Sequence, residues 1–265
     1  MATKSKAQGG FVELIKTIVY ALVLAGVIRT LFFQPFWIPS GSMKPTLLIG
    51  DFLFVNKMAY GYSRYSCPFS LCPIDGRILA RMPERGDVVV FKKPGNGTDG
   101  GTDYIKRLIG LPGDRVQMID GILHINGKAL PQVADGTFSE TYAPQGPMQN
   151  MPRCANRPVA DGEDCLAAQA VETLPDGHQH KVLDIEPSVA DTTPEFVVPE
   201  GEFFFMGDNR DNSMDSRFPR SAGGVGFVPF ENLVGRADRV IFSSAGSSML
   251  AFWTWRPDRF FLRIE

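Results

Sequence analysis

Between Phe11 and Phe33 the chain carries an almost unbroken apolar run, interrupted only by Glu13, Lys16, Thr17, Arg29 and Thr30 near its two ends. A hydrocarbon layer of about 30 Å takes roughly 20 residues at about 1.5 Å each, so one spanning helix fits. Lys16 and Arg29 lie close enough to the ends to snorkel. A removable leader is the rival reading, because Lys4 and Lys6 precede the run. Against it, the bulky Phe32-Phe33-Gln34-Pro35-Phe36-Trp37 that follows offers no small-residue cleavage site. Lys4, Lys6 and Lys16 favour a cytoplasmic N-terminus over residues 1–10, an anchor over 11–33 and the remainder outside, although Arg29 weakens the count.

The compartment also bears on the four cysteines, which fall into two local groups, Cys67 with Cys72 and Cys154 with Cys165. Neither group is a CxxC, so a zinc site is the weaker reading and local disulfides the stronger. Disulfides require an oxidising compartment, which agrees with the charge argument. Four cysteines permit three pairings, and proximity is the only guide to which one forms. The net charge of -2, with Lys and Arg spread along the chain, gives no footprint for nucleic acid.

Past the anchor, short β-branched and aromatic runs predict strands at Phe52–Asn56, Asp87–Lys92, Asp103–Ile109, Arg115–Ile119, Ile122–Ile125, Glu202–Met206 and Leu233–Phe242. Asp120-Gly121 between two of them signals a two-residue hairpin, since a type I′ turn needs positive φ at both central positions. The expected fold is mainly β, an antiparallel sheet domain with few helices. It is formed by residues 34–130 and 199–265 and interrupted by an inserted small lobe at 131–198, where Pro, Gly, Asp, Gln and Thr dominate and strand periodicity fails. From Met249 to Phe261 the aromatic residues Phe252, Trp253, Trp255, Phe260 and Phe261 alternate with charges. Ordinary packing and a surface at the lipid headgroups both fit this segment.

Three segments carry chemistry. Ile38-Pro39-Ser40-Gly41-Ser42-Met43-Lys44-Pro45-Thr46-Leu47 brackets a Ser-Gly-Ser turn with prolines, which stiffens the backbone under a hydroxyl. Taken alone, it reads as a polar linker. The second segment places Lys106 inside the strand Asp103–Ile109, on the face of Tyr104 and Leu108, with Arg107 opposite. Burial disfavours an ammonium ion. A base working near neutral pH wants a pKa of about 7–8, a shift of roughly 3 units from about 10.4, or about 4 kcal/mol. A lysine so desolvated could deprotonate a serine. The histidines 124, 178 and 180 have no recognisable partner motif, and there is no Gly-x-Ser-x-Gly elbow. The third segment, Gly207-Asp208-Asn209-Arg210-Asp211-Asn212-Ser213-Met214-Asp215-Ser216-Arg217, reads as a solvated loop or a calcium loop, though it lacks the closing Glu of an EF-hand.

Taken together, these segments resemble the bacterial type I signal peptidases of the Ser/Lys class. Ser-Gly-Ser-Met-x-Pro-Thr-Leu at 40–47 is similar to the family's nucleophile box, and Arg85–Pro94 to its following strand. Asp103–Asp114 is similar to its lysine box and Gly207–Arg217 to its Gly-Asp-Asn box; with Asp51–Gly61 and the anchor, the likeness covers roughly half the chain. The resemblance implies that Ser42 is the nucleophile and Lys106 the general base, that the Ser40 hydroxyl and Ser42 amide form the oxyanion hole, and that Ser213 orients the amine. It further implies that Asp208, Arg210, Asp215 and Arg217 are a structural network. Substrates would bind as an extended strand beside residues 36–40 and 103–106, against Phe36, Ile38, Tyr104 and Ile105. A regular strand points Ile105 and Lys106 to opposite faces, so contact of both with one site requires a bend. The Cys67–Cys72 insertion and the single apparent span depart from some members.

The resulting expectation is a monomeric enzyme of the bacterial inner membrane, with its catalytic domain periplasmic. It uses no metal or cofactor and acts on exported preproteins beside the lipid bilayer. Two alternatives stay open: a peptidase dedicated to one secreted partner, and an inert anchored β-domain that binds exported chains.

Overall fold

The computed structural model describes residues 4–67, 70, 72–95, 101–246, 248 and 251–265, with side chains from residue 10 onward. Lys4, Lys6 and Met249 of the expectations above therefore lie outside the described side chains. Helix α1 spans Lys4–Leu31, and its stretch Gly10–Leu31 is long and apolar enough to cross a membrane. None of its most apolar window is buried against the rest of the described chain. Lys16 pairs with Glu13 at 2.9 Å, which reduces the cost of both charges. Pro35 lies just beyond and cannot continue a helix. The chain extends instead into β1, Phe33–Trp37.

The other strands, in order, are β2 Asp51–Asn56, β3 Tyr62–Ser63, β4 Arg77–Ile78, β5 Val88–Lys92, β6 Asp103–Gly110, β7 Arg115–Ile119, β8 Ile122–Ile125 and β9 Lys128–Ala129. They continue with β10 Gln132–Thr141, β11 Asp164–Thr173, β12 Gln179–Asp184, β13 Phe196–Val197, β14 Glu202–Met206, β15 Val228–Pro229 and β16 Leu233–Ser243. Antiparallel pairing builds a seven-stranded sheet in the order β1-β2-β16-β5-β6-β14-β15. Pro35 sits in the edge strand, where a missing N–H breaks no ladder. Register shifts along β16 against both neighbours are bulges of the kind that curl a sheet. A four-stranded sheet, β13-β7-β8-β9, packs beside it, with Asp120 and Gly121 both at positive φ in the β7–β8 turn.

The central strands are apolar on both faces because both faces are covered. In β5, Val88 and Val90 join one cluster with Ile38, Met43, Leu47 and Ile105, while Val89 and Phe91 join another with Leu108, Phe203 and Phe205. In β14, Phe204 and Met206 face a third cluster with Ile109, Val116 and Leu123. This accounts for the unbroken Phe203-Phe204-Phe205-Met206 run.

Residues 131–198 hold strands that periodicity did not mark. β10, β11 and β12 form a three-stranded antiparallel sheet over a small cluster of Ala167, Leu183 and Ile185. β10 exposes most residues on both faces, so it carries no alternation to read. Cys154 bonds Cys165 and Cys67 bonds Cys72, the pairing that proximity suggested. The segment is tied to the rest of the chain, since β13 pairs with β7 and the Leu183 amide donates to the Asp208 carbonyl at 2.9 Å.

One feature of the large sheet sets the site. β14 pairs with β6 only from Arg107 to Gly110. Among the described residues, Asp103–Lys106 therefore has β5 on one side and an open edge on the other.

Candidate active site

Ser42 lies in the turn that follows β1, and a loop 165 residues on holds it in place. The Asn209 amide donates to the Ser42 carbonyl at 3.1 Å, and Asn209 Nδ2 donates to the Gly41 carbonyl at 3.1 Å. Only glycine fits at 207, where a Cβ would stand 2.3 Å from Ser213 Oγ and 2.5 Å from the Ser42 carbonyl oxygen. The serine is 7% exposed and Lys106 4%. Lys106 Nζ is 2.6 Å from Ser42 Oγ and 3.0 Å from the Ile105 carbonyl oxygen, and it lies 5.6 Å from the centre of the Tyr104 ring.

Burial pulls the Lys106 ammonium down to about 8, against the opposing pull of Asp215 and Asp208 and with help from Arg217. The two carboxylates have little charge to spare because arginines already hold them. Asp208 accepts from Arg107 Nε and Nη2, both at 2.8 Å, and Asp215 accepts from Arg217 Nε and Nη2, both at 2.9 Å. Burial would raise these carboxyls, but the guanidiniums outweigh it and both lie below the ordinary aspartate value. Dehydration is thus left to govern the amine.

Of the expected network, Arg210 turns away from the loop to Glu172 of β11, through bonds of 2.9 and 2.7 Å. Arg107 and Glu172, which sequence reasoning did not assign to the network, complete two of its three ion pairs. The calcium reading of the Gly207–Arg217 loop loses its donors to these pairs and to the Ile185 amide, which Asp211 Oδ2 accepts at 2.6 Å.

Ser40 is exposed, with Oγ 3.4 Å from Ser42 Oγ. Ser213 is buried beside Gly207, but its hydroxyl makes no hydrogen bond to Lys106 and has no partner of normal geometry. Open to Ser42 and Lys106 is a cavity of about 370 Å³. Phe36, Pro39 and Ser40 line it from the segment after α1, and Asp103, Tyr104 and Ile105 from the open edge of β6. Ile105 and Lys106 both reach it, as the amine folds back onto the Ile105 carbonyl. Ile38, expected among the lining residues, is 1% exposed in the core cluster beneath. It shares the Phe36 face, as the alternation requires, but lies one layer deeper. Met148, Asn150, Asn212 and Met214 also line the cavity. Asn212 and Met214 belong to the Gly207–Arg217 segment but were not singled out as lining residues, whereas Met148 and Asn150 come from the inserted segment, where no motif pointed to them.

The site therefore brings a secluded hydroxyl into contact with an amine whose proton affinity burial has lowered. The family profile described as "Signal peptidase, peptidase S26" matches residues 11–242. The chain belongs to this family and is an enzyme of it, a peptidase acting on signal peptides. It is 40% identical over 235 residues to signal peptidase I of Rickettsia typhi (strain ATCC VR-144 / Wilmington), covering 85% of this chain and 78% of the relative. Signal peptidase I of Rickettsia prowazekii (strain Madrid E) matches with the same identity and the same coverage. Among solved structures, signal peptidase I of Enterococcus faecalis V583 is 27% identical, with a TM-score of 0.30, covering 59% of this chain and 97% of the other.

Proposed function

We propose that this chain is a membrane-anchored endopeptidase. It removes N-terminal signal peptides from exported preproteins after small residues of the Ala-x-Ala type, with Ser42 as nucleophile and neutral Lys106 as general base. The observation that carries the reading is the 2.6 Å contact between Ser42 Oγ and a Lys106 amine brought down to about 8.

Neutral Lys106 takes the hydroxyl proton as Oγ attacks the scissile carbonyl, and the ammonium so formed gives its proton to the departing amine. The amine then deprotonates a water that hydrolyses the acyl ester, and Ser42 is restored. Negative charge on the tetrahedral oxygen meets the Ser40 hydroxyl and the Ser42 amide, donors of a kind commonly worth about 3–4 kcal/mol.

The open edge at Asp103–Lys106 offers unpaired backbone groups to an extended substrate, the geometry of strand addition. Phe36, Tyr104 and Ile105 leave shallow space for small side chains. Asp208, Arg210, Asp215 and Arg217 hold the nucleophile loop and do not touch substrate. Helix α1 anchors the enzyme in the inner membrane with its N-terminus cytoplasmic and the β domain outside, where its disulfides persist. Trp253, 75% exposed, and Phe252 beside it rest at the lipid headgroups. The enzyme works as a monomer without metal or cofactor. The test is processing of a preprotein carrying Ala-x-Ala in vitro by wild type, Ser42→Ala and Lys106→Ala. Both variants should be inactive, and wild-type activity in Lys106→Ala would end the assignment of the base.

A further inference from the structure

The turn Gln145–Asn150 of the inserted segment is held against the nucleophile loop by contacts that converge from several directions. Its ends pair with each other, Gln145 amide to Asn150 carbonyl at 2.9 Å and the reverse at 3.1 Å. Gly146 packs so closely on Ile49 that a Cβ would stand 2.8 Å from Ile49 Cγ2. Asn150 Nδ2 donates to the Pro39 carbonyl at 2.8 Å. Two residues past the nucleophile, the buried Lys44 Nζ donates to Glu140 Oε1 at 2.7 Å and to Gln145 Oε1 at 2.9 Å. Gln145 Nε2 closes the cluster on Glu140 Oε2 at 2.6 Å.

What this clamp delivers to the cavity is Met148, an apolar side chain left 66% exposed on the cavity wall. A thioether side chain is polarisable and adapts its shape to varied apolar partners. Its exposure places it at the mouth, away from the floor that Phe36 and Ile105 form over the core. Side chains of an extended chain alternate between two faces. If the small residues of the proposed substrate face the floor, the residue between them faces the mouth.

We infer that Met148 is a specificity-determining residue that contacts the side chain between the two small residues of the substrate and favours an apolar one there. The inference rests on the proposed function. It assigns the inserted segment a part in substrate selection, with the Lys44–Glu140–Gln145 cluster as the positioning device.

The experiment uses the full-length chain in detergent micelles and a set of signal-peptide substrates with Ala fixed on both sides of a varied central residue: Leu, Met, Ser, Glu or Lys. Wild type should show a kcat/KM preference of about tenfold for Leu and Met over Ser and Glu, the scale of discrimination a single apolar contact supplies. Met148→Ala should flatten the preference to within about twofold, and Met148→Lys should move it toward Glu. Lys44→Met combined with Glu140→Gln, which removes the ion pair without leaving an unpaired charge, should flatten it as well. The ratio between substrates separates selection from a general loss of activity. An unchanged central-residue profile in both Met148 variants, alongside Ser42-dependent cleavage by wild type, would overturn this inference alone. Absence of Ser42-dependent cleavage in wild type would overturn it together with the proposed function.

Discussion

Lys106 and Ser42 meet across 64 residues of sequence in a contact of 2.6 Å between two largely buried side chains. The Ser42 turn and the Lys106 strand arrive from different elements, and Asn209 of the Gly207–Arg217 loop binds the carbonyls of Gly41 and Ser42 in the turn.

Replacing Lys106 by Met should remove more than 99.9% of preprotein cleavage, a loss of at least about 10³-fold on the scale of removing an essential base, while leaving the fold intact. An amine that must be dehydrated contributes nothing to stability that a thioether of similar length would lose. The thermal midpoint of Lys106→Met, followed by circular dichroism, should therefore equal or exceed that of wild type.

Activity should rise with pH. On the proposed mechanism the working form of Lys106 is neutral, and its value of about 8 lies below the ordinary lysine value of 10.5. Protonated amine dominates at pH 6 and cannot accept the serine proton. A profile of kcat/KM should climb through an apparent pKa near 8 and then level off. A flat profile between pH 6 and 9 would remove Lys106 from the base role.

Ser40→Ala should lower kcat by about 10²–10³-fold with little change in stability, because on the proposed mechanism the exposed hydroxyl acts on charge that develops only during reaction. Single-turnover kinetics would separate this from weakened substrate binding.

Gly207→Ala should act at a distance through the nucleophile turn. The new methyl overlaps the Ser42 carbonyl and the Ser213 hydroxyl. Displacing the serine by about 1 Å costs on the order of 10²-fold in rate. The variant should remain folded, with reduced cleavage and a lower denaturation midpoint.

Glu172→Gln should destabilise the chain by about 3–5 kcal/mol in urea, since it leaves the buried Arg210 guanidinium without its carboxylate. The same pair sets an acid limit. Burial pushes the Glu172 carboxyl up, but Arg210 and His180 outweigh it and hold the group well below the usual range. A depressed folded value contributes stability that is complete above the unfolded value of about 4.3 and disappears as pH falls toward the folded one. Wild type should therefore lose stability below about pH 4 more steeply than Glu172→Gln.

Much of the architecture was legible where one physical signal sufficed. Arg115–Ile119, Ile122–Ile125 and Glu202–Met206 form strands at the bounds their residues predicted, and Asp120-Gly121 makes the turn its φ requirement implied. The strands of the inserted segment were hidden because β10 is solvated on both faces and carries no alternation. Ile38 was misjudged because shared alternation gives a face and not a depth. The partners of Asp208 and Lys44 could not be read either, because Arg107 lies 101 residues from the first and Glu140 96 from the second. A polar residue whose partner is that remote looks the same in sequence as one facing solvent.

The distance from the end of α1 at Leu31 to Ser42 is about eleven residues, a tether that spans at most about 40 Å when fully stretched. On the proposed anchoring, this short leash turns a three-dimensional encounter into lateral diffusion within a thin layer. A client still embedded by its own apolar leader shares that layer and meets the enzyme at a local concentration that dissolved peptides do not reach. Mature chains released into the bulk compartment are spared by geometry before any side chain is inspected.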